Sequence, residues 1–146
     1  MAFGNRVPSS LARLSQAKEA PSAIRWGRYD RSALVRIPVV PTVAGGRPVA
    51  EPTVEFRLPD GSAMAHLLLA GIVQAMVAAV GERDLPGLIA ATSIRPPKGA
   101  AVQVDPLPRD FAEIASALGR HRGPLEAGGV FPRDLLDAAL ARLGGR

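Results

Sequence analysis

Polar and apolar positions alternate between Val54 and Arg57. In an extended chain Val54 and Phe56 point one way, Glu55 and Arg57 the other. This alternation predicts a strand over Thr53–Leu58, stopped by Pro59-Asp60. Ala23–Val40 is rich in β-branched and aromatic residues and predicts two further strands. Gly27 and Tyr29-Asp30 mark the turn between them, and Pro38 and Pro41 end that section. Residues 41–52 carry Gly45-Gly46 and read as a loop built around a turn.

The pattern then changes. Ala63–Val80 is apolar almost all round, interrupted by His66 and Gln74, and predicts a long helix. Asp60 or Ser62 is its expected N-cap, and it should stop near Gly81. Such a helix belongs at the centre of a core, and this chain has little other mass to wrap it, so association with something larger is expected. Residues 84–109 hold five prolines and no sustained period, which reads as an ordered excursion or a mobile loop. Short helices follow over Arg109–Leu118, Gly123–Ala127 and Arg133–Leu143. Gly128-Gly129 punctuates a helix end and Pro132 opens the last one. Strands before helices, without βαβ alternation, predict an α+β fold. Its expected form is a few antiparallel strands packed with the long apolar helix and the short C-terminal ones.

Composition narrows the class. A chain of 146 residues with 47% hydrophobic content is one domain's worth of globular protein. No cysteine is present, which excludes disulfides, thiolate metal sites and a cysteine nucleophile. Aromatics make up 4%, too few for base-stacking platforms, and no nucleic-acid motif accompanies the arginines, so no nucleic-acid partner is expected. Asp60 and Glu82-Arg83 bracket the apolar run, and no basic run flanks it, so no membrane insertion is expected. Met1–Ser10 lacks an apolar core behind its basic residue, so a signal peptide is not expected either. The net charge of +5 is unevenly placed: residues 1–50 hold eight basic residues against Glu19 and Asp30. Sixteen of the eighteen basic residues are arginine, suited to bidentate contact with carboxylate or phosphate. An anionic partner for the first third follows.

Several stretches together resemble the glutamine synthetase family, in the C-terminal part of its catalytic domain. They are Arg13-Leu14, Glu19-Ala20-Pro21, Trp26, Asp30-Arg31-Ser32-Ala33, Arg36-Ile37-Pro38 and Glu55-Phe56-Arg57-Leu58-Pro59-Asp60. Leu125–Leu143 is similar to the family's C-terminal helices, so the resemblance spans about residues 9–143 of 1–146. It implies a carboxylate–amine ligase, which uses ATP to join ammonia or an amine to the γ-carboxylate of glutamate or a similar acid. The cofactors implied are ATP and Mg2+ or Mn2+. By the resemblance, Glu55 is a metal-ligand carboxylate, Arg57 pairs with the substrate's carboxylate and Arg13 helps hold glutamate. Arg31 stabilises the phosphate in transfer and Arg36 lies beside the nucleotide phosphates. Arg31 and Arg36 cannot share a face of one regular strand, so either Arg31 sits in the turn or one of the two serves elsewhere. His66 and His121 show no ligand spacing and read as structural.

The sequence also departs from the family. The N-terminal β-grasp domain and the first half of the catalytic domain have no counterpart. Thr53 stands where an arginine is usual, Asp30 replaces an asparagine, and Gln16-Ala17 replaces Pro-Gly. A complementary chain or a homo-oligomer is expected to complete the site, and the isolated chain is not expected to be active. The alternative is a non-catalytic remnant that serves as a binding or interaction module. A cytoplasmic location is expected in either case.

Overall fold

Apolar residues in the C-terminal third recur at helical spacing. Phe111, Ile114 and Leu118 line α4 (Phe111–Arg120), while Leu136 and Leu143 line α6 (Arg133–Gly144). Burying those stripes against each other, with Phe3 and Phe131, makes the main core. The rings of Phe3 and Phe131 stack at 5.4 Å between centroids, 20° from parallel, close to an offset-stacked aromatic pair. Asp110 starts α4 by accepting from the Glu113 N–H at 2.7 Å, and the Glu113 carboxylate reaches back to the Arg109 N–H at 2.8 Å. This satisfies the Glu113 donor that the first helical turn leaves open, and the N–H of the residue just before the cap.

The computed structural model describes residues 1–16 and 19–145, Gln16 by its backbone alone. Ala17, half of the Gln16-Ala17 replacement, lies outside the described residues. The chain forms two compact units from interleaved segments. Met1–Ala12, Pro59–Leu85 and Pro108–Arg146 make the first, and Arg13–Leu58 with Pro86–Leu107 the second. Among the elements, α1 (Pro8–Gln16) and α3 (Leu85–Ala91) run across the segment boundaries.

In the first unit the predicted long helix is α2 (Ala65–Val80), which packs on α5 (Arg122–Glu126). Gln74, which breaks the apolar run in the sequence, is the residue of α2 that is buried. Its Nε2 donates to the carbonyls of Pro124 at 3.0 Å and Ala127 at 2.8 Å, closing backbone acceptors where α5 ends. Two expectations for this helix need correction. Neither Asp60 nor Ser62 caps it: Asp60 accepts instead from the Ser62 N–H and hydroxyl at 2.8 and 2.6 Å, and the helix starts from Met64 without a side-chain cap. Nor is it wrapped in a core. Leu69, Val73, Met76, Val77 and Val80 are 56–87% exposed. Within its unit Leu67, Leu68 and Ala70 pack against the main core, while the residues just named stay exposed. Among the described residues, no helix is long and apolar enough to cross a membrane.

The second unit is built on a three-stranded sheet, ordered β1 (Trp26–Arg28), β2 (Val35–Ile37), β3 (Glu55–Phe56). β2 and β3 are antiparallel, but β1 and β2 are parallel, which corrects the expectation of antiparallel strands throughout. Parallel neighbours usually need a crossover of a dozen or more residues. Here each strand is three residues long, so the return path is roughly 7 Å and residues 29–34 suffice. Tyr29 takes the left-handed conformation at φ 64° to begin that return. The predicted strand Thr53–Leu58 contracts to two residues, because β2 offers only Val35 and Arg36 as partners. Arg57 still donates its N–H to Leu34 at 2.9 Å beyond the strand's end.

The turn expected in residues 41–52 is present, with Gly45 and Gly46 at φ 93° and 78° and a bridge between Thr42 and Pro48. The proline-rich stretch holds a helix that was not expected, α3. Pro86 is tolerated because the first helical turn needs no N–H from it. Downstream, Ser93 pairs with Trp26 and Pro106 with Ala23, so the stretch is laid along β1.

Candidate active site

Register, which composition cannot give, builds the centre of the site. Pairing Val35 with Phe56 sets Arg36 directly opposite Glu55. Side chains at such positions share a sheet face. Arg36 Nη1 meets Glu55 Oε2 at 2.8 Å, and Arg57, two residues on from Glu55, brings Nε to within 3.3 Å of Oε1. One carboxylate is therefore held between two guanidiniums. Glu55 is 43% exposed, while Arg36 and Arg57 are 20% and 17% exposed. Water reaches the acid, so each pair contributes on the order of 1 kcal/mol or less.

Arg57 has further partners. Nη2 donates to the Glu19 carbonyl at 2.9 Å, and Nη1 donates to the carbonyls of Arg31 and, at 3.3 Å, Ala33. A planar fork with five donors can tie several loops at once, which an ammonium cannot do with the same geometry. Arg57 thus joins β3, the 29–34 connection and the start of the Glu19-Ala20-Pro21 stretch.

Arg31 lies in that connection, one of the two places its spacing from Arg36 allowed, and its side chain pairs with Glu19 at 3.0 Å, both 62% exposed. Arg13, on α1, donates to the Leu58 carbonyl at 2.6 Å, one residue past Arg57. Arg36, Glu55 and Arg57 are therefore brought into direct contact, Arg31 adjoins them through its backbone, and Arg13 reaches the neighbouring backbone. Glu19 was not singled out from the sequence although it stands in a recognised motif. Its signal was there: an acid upstream of an arginine-rich stretch.

Asp30 sits at the head of the connection. Its carboxylate accepts from the Ser32 hydroxyl at 2.7 Å and N–H at 2.9 Å, and these bonds hold its pKa below the ordinary carboxylate value. The turn therefore contributes a fixed negative charge beside Arg31.

Two fit tests follow. A hard divalent cation needs several oxygen ligands. Both Glu55 oxygens face guanidiniums, and no group of three or more His, Cys, Asp or Glu able to hold a metal occurs among the described residues. His66 and His121 are exposed and join no such group. The residues present do not by themselves make a Mg2+ or Mn2+ site. The test for an anion comes out differently. Arg36 Nε is buried without a hydrogen-bond partner among the described residues. Leaving such a donor unmet is costly, and the guanidiniums of Arg36 and Arg57 are suited in general to carboxylate and phosphate.

The catalytic-domain profile of the glutamine synthetases matches residues 1–140. The chain belongs to the glutamine synthetase family. It is 30% identical over 141 residues to glutamine synthetase of Salmonella typhimurium, covering 96% of this chain and 29% of that protein. It is likewise 30% identical over 139 residues to glutamine synthetase of Thermococcus kodakarensis, covering 93% and 30%. A cryo-EM structure of Plasmodium falciparum glutamine synthetase superposes with a TM-score of 0.71 at 16% identity, over 99% of this chain and 34% of that one. At that identity the likeness speaks for the fold, which is α+β. The chain spans about three tenths of the length of the curated relatives it matches. The family expectation drawn from Glu55-Phe56-Arg57 and its companion motifs is met.

Proposed function

We propose that this chain is the C-terminal portion of an ATP-dependent glutamine synthetase-like ligase in the cytoplasm. It would join ammonia or an amine to the γ-carboxylate of glutamate or a similar acid, once another polypeptide completes the site. The observation that carries this reading is the contact of Arg36, Glu55 and Arg57 on one sheet face, in a chain of this family. Transfer of a phosphoryl group needs positioned positive charge more than covalent chemistry, and the sheet gathers arginines around a single acid. In this proposal Arg31 stabilises the transferring phosphate and Arg36 lies beside the nucleotide phosphates. Arg13 and Arg57 hold the acid substrate. Glu55 becomes one metal ligand among several, the rest coming from the second polypeptide, a complementary chain or a further copy.

A second reading is a non-catalytic module, and one observation favours it: both Glu55 oxygens are already engaged by arginines. The two readings separate on purified protein. The chain alone should release no ADP with glutamate and ammonia. Mixed with the preceding part of a family catalytic domain, it should show amine-dependent ADP release that Glu55→Ala abolishes. Turnover by the isolated chain would overturn the need for a second polypeptide. A silent mixture that nevertheless forms a complex would favour the module.

A further inference from the structure

The first unit contains a hollow of about 180 Å3, lined by none of the residues in the proposed ligase chemistry. Its floor comes from α6, where Leu135, Ala138, Ala139, Arg142 and Leu143 lie at spacings of three and four residues and so share one face. Two alanines sit in the middle of that face, so α6 is indented between its leucines. Phe3 and Leu67 face the indentation, and both are held by their surroundings. The carbonyl of Phe3 accepts from the Met64 N–H at 2.8 Å, and Phe3 and Leu67 both pack with the main core. The hollow is a consequence of small residues in a packed wall.

Its charge is one-sided. Arg6 and Arg142 line it and no acid does. The Arg6 N–H is fixed to the Ser62 hydroxyl at 2.9 Å, which places that residue at the rim. Arg142 is exposed and makes no ion pair among the described residues. Apolar cavities of about 150 Å3 accept a benzene-sized guest, and guanidiniums are matched to carboxylates. We propose that this hollow is a binding site for a small monocarboxylate carrying one compact apolar group, with benzoate as its simplest representative. The ring or branched side chain fills the space over Ala138 and Ala139, and the carboxylate meets Arg142.

The test is an NMR titration of the full chain, followed at the methyl groups of Leu67 and Leu135. Benzoate should shift both saturably, benzyl alcohol should shift them with at least about tenfold weaker affinity, and acetate should not shift them. Arg142→Gln should weaken benzoate about tenfold and leave benzyl alcohol unchanged, while Ala139→Leu, which fills the hollow, should remove both. Unchanged methionine and aromatic resonances away from the hollow establish that each variant is folded. No saturable shift with benzoate, equal affinity for benzoate and benzyl alcohol, or an Arg142→Gln variant that binds benzoate normally would each overturn the assignment. Because no ligase residue is involved, failure here leaves the proposed reaction standing, and failure of the ligase assay leaves this site standing.

Discussion

Arg57 carries two demands at once, since the residue proposed to hold a substrate is also a fastener between loops. Its contacts to the carbonyls of Glu19, Arg31 and Ala33 need the guanidinium fork, and a lysine could serve only one of them well. Arg57→Lys should therefore cost about 1 kcal/mol of folding stability, since the Glu19 and Arg31 carbonyls are exposed and can turn to water while the Ala33 contact is partly buried, read as a lower urea midpoint at constant m. An unchanged midpoint would show that these bonds are dispensable. Asp30 supplies a pH effect. Its folded pKa is depressed, chiefly by the Ser32 hydroxyl and then by the Ser32 N–H, so the turn's contribution is full above the unfolded carboxylate pKa of about 4. It is lost as pH falls below that value, through the lower folded pKa. Ser32→Ala should raise the Asp30 titration midpoint toward the ordinary value in a carboxyl-detected NMR titration; an unmoved midpoint would exclude the hydroxyl as the main cause. At this scale the sharing of a face by Glu55 and Arg57 could be read from alternation. Their partner Arg36 could not, because alternation sets faces and says nothing about which strand lies opposite. The carbonyl partners of Arg57 were hidden for the same reason.

Elements were legible wherever glycine, proline or a cap marked their ends. α4 and α6 fall within a few residues of their expected limits, and Gly128 and Gly129 take φ 67° and 71° where a helix end was expected. Asp110→Ala removes the α4 cap and should cost about 1 kcal/mol, measured by thermal melting. Asp110→Asn, which keeps an acceptor, should recover most of it. What failed at this scale has two causes. α3 was missed because proline was taken as a breaker, although the first turn of a helix accepts it. The parallel pairing of β1 and β2 was missed because a short link normally implies a hairpin; strands this short relax that rule.

At the scale of the molecule, charge and apolar surface separate. The second unit holds ten basic residues against five acids, and the first holds eight of each, so the net +5 belongs to the second unit alone. The first unit carries the exposed stripe of Val73, Met76, Val77 and Val80, spaced three and four apart on α2. Apolar surface of this extent favours association. The purified chain should sediment above its 15.2 kDa mass, and Val77→Glu should shift it toward monomer while changing stability by less than about 0.5 kcal/mol, as expected of an exposed position. A variant that unfolds would mean the stripe is a covered core after all. The sequence predicted that α2 is apolar and where it lies. It could not show that α2 is uncovered, since hydropathy measures a side chain's preference and burial depends on what else is present.

The interleaving of the two units also sets a timetable for synthesis. The stack of Phe3 on Phe131 cannot form until Phe131 has left the ribosome, long after Phe3. The sheet unit has all its parts once Leu107 has emerged, and its local pairings close small loops. The N-terminal segment of the helical unit can bond to residues 60–64 early, through Phe3, Gly4 and Arg6, but its apolar side waits for Phe131 and α6, and closing so long a loop is entropically dear and slow. During that interval the nascent N-terminal segment and α2 expose their apolar faces together. A holdase that grips apolar segments would find its natural client in this half-made chain, with the need for it ending when α6 arrives.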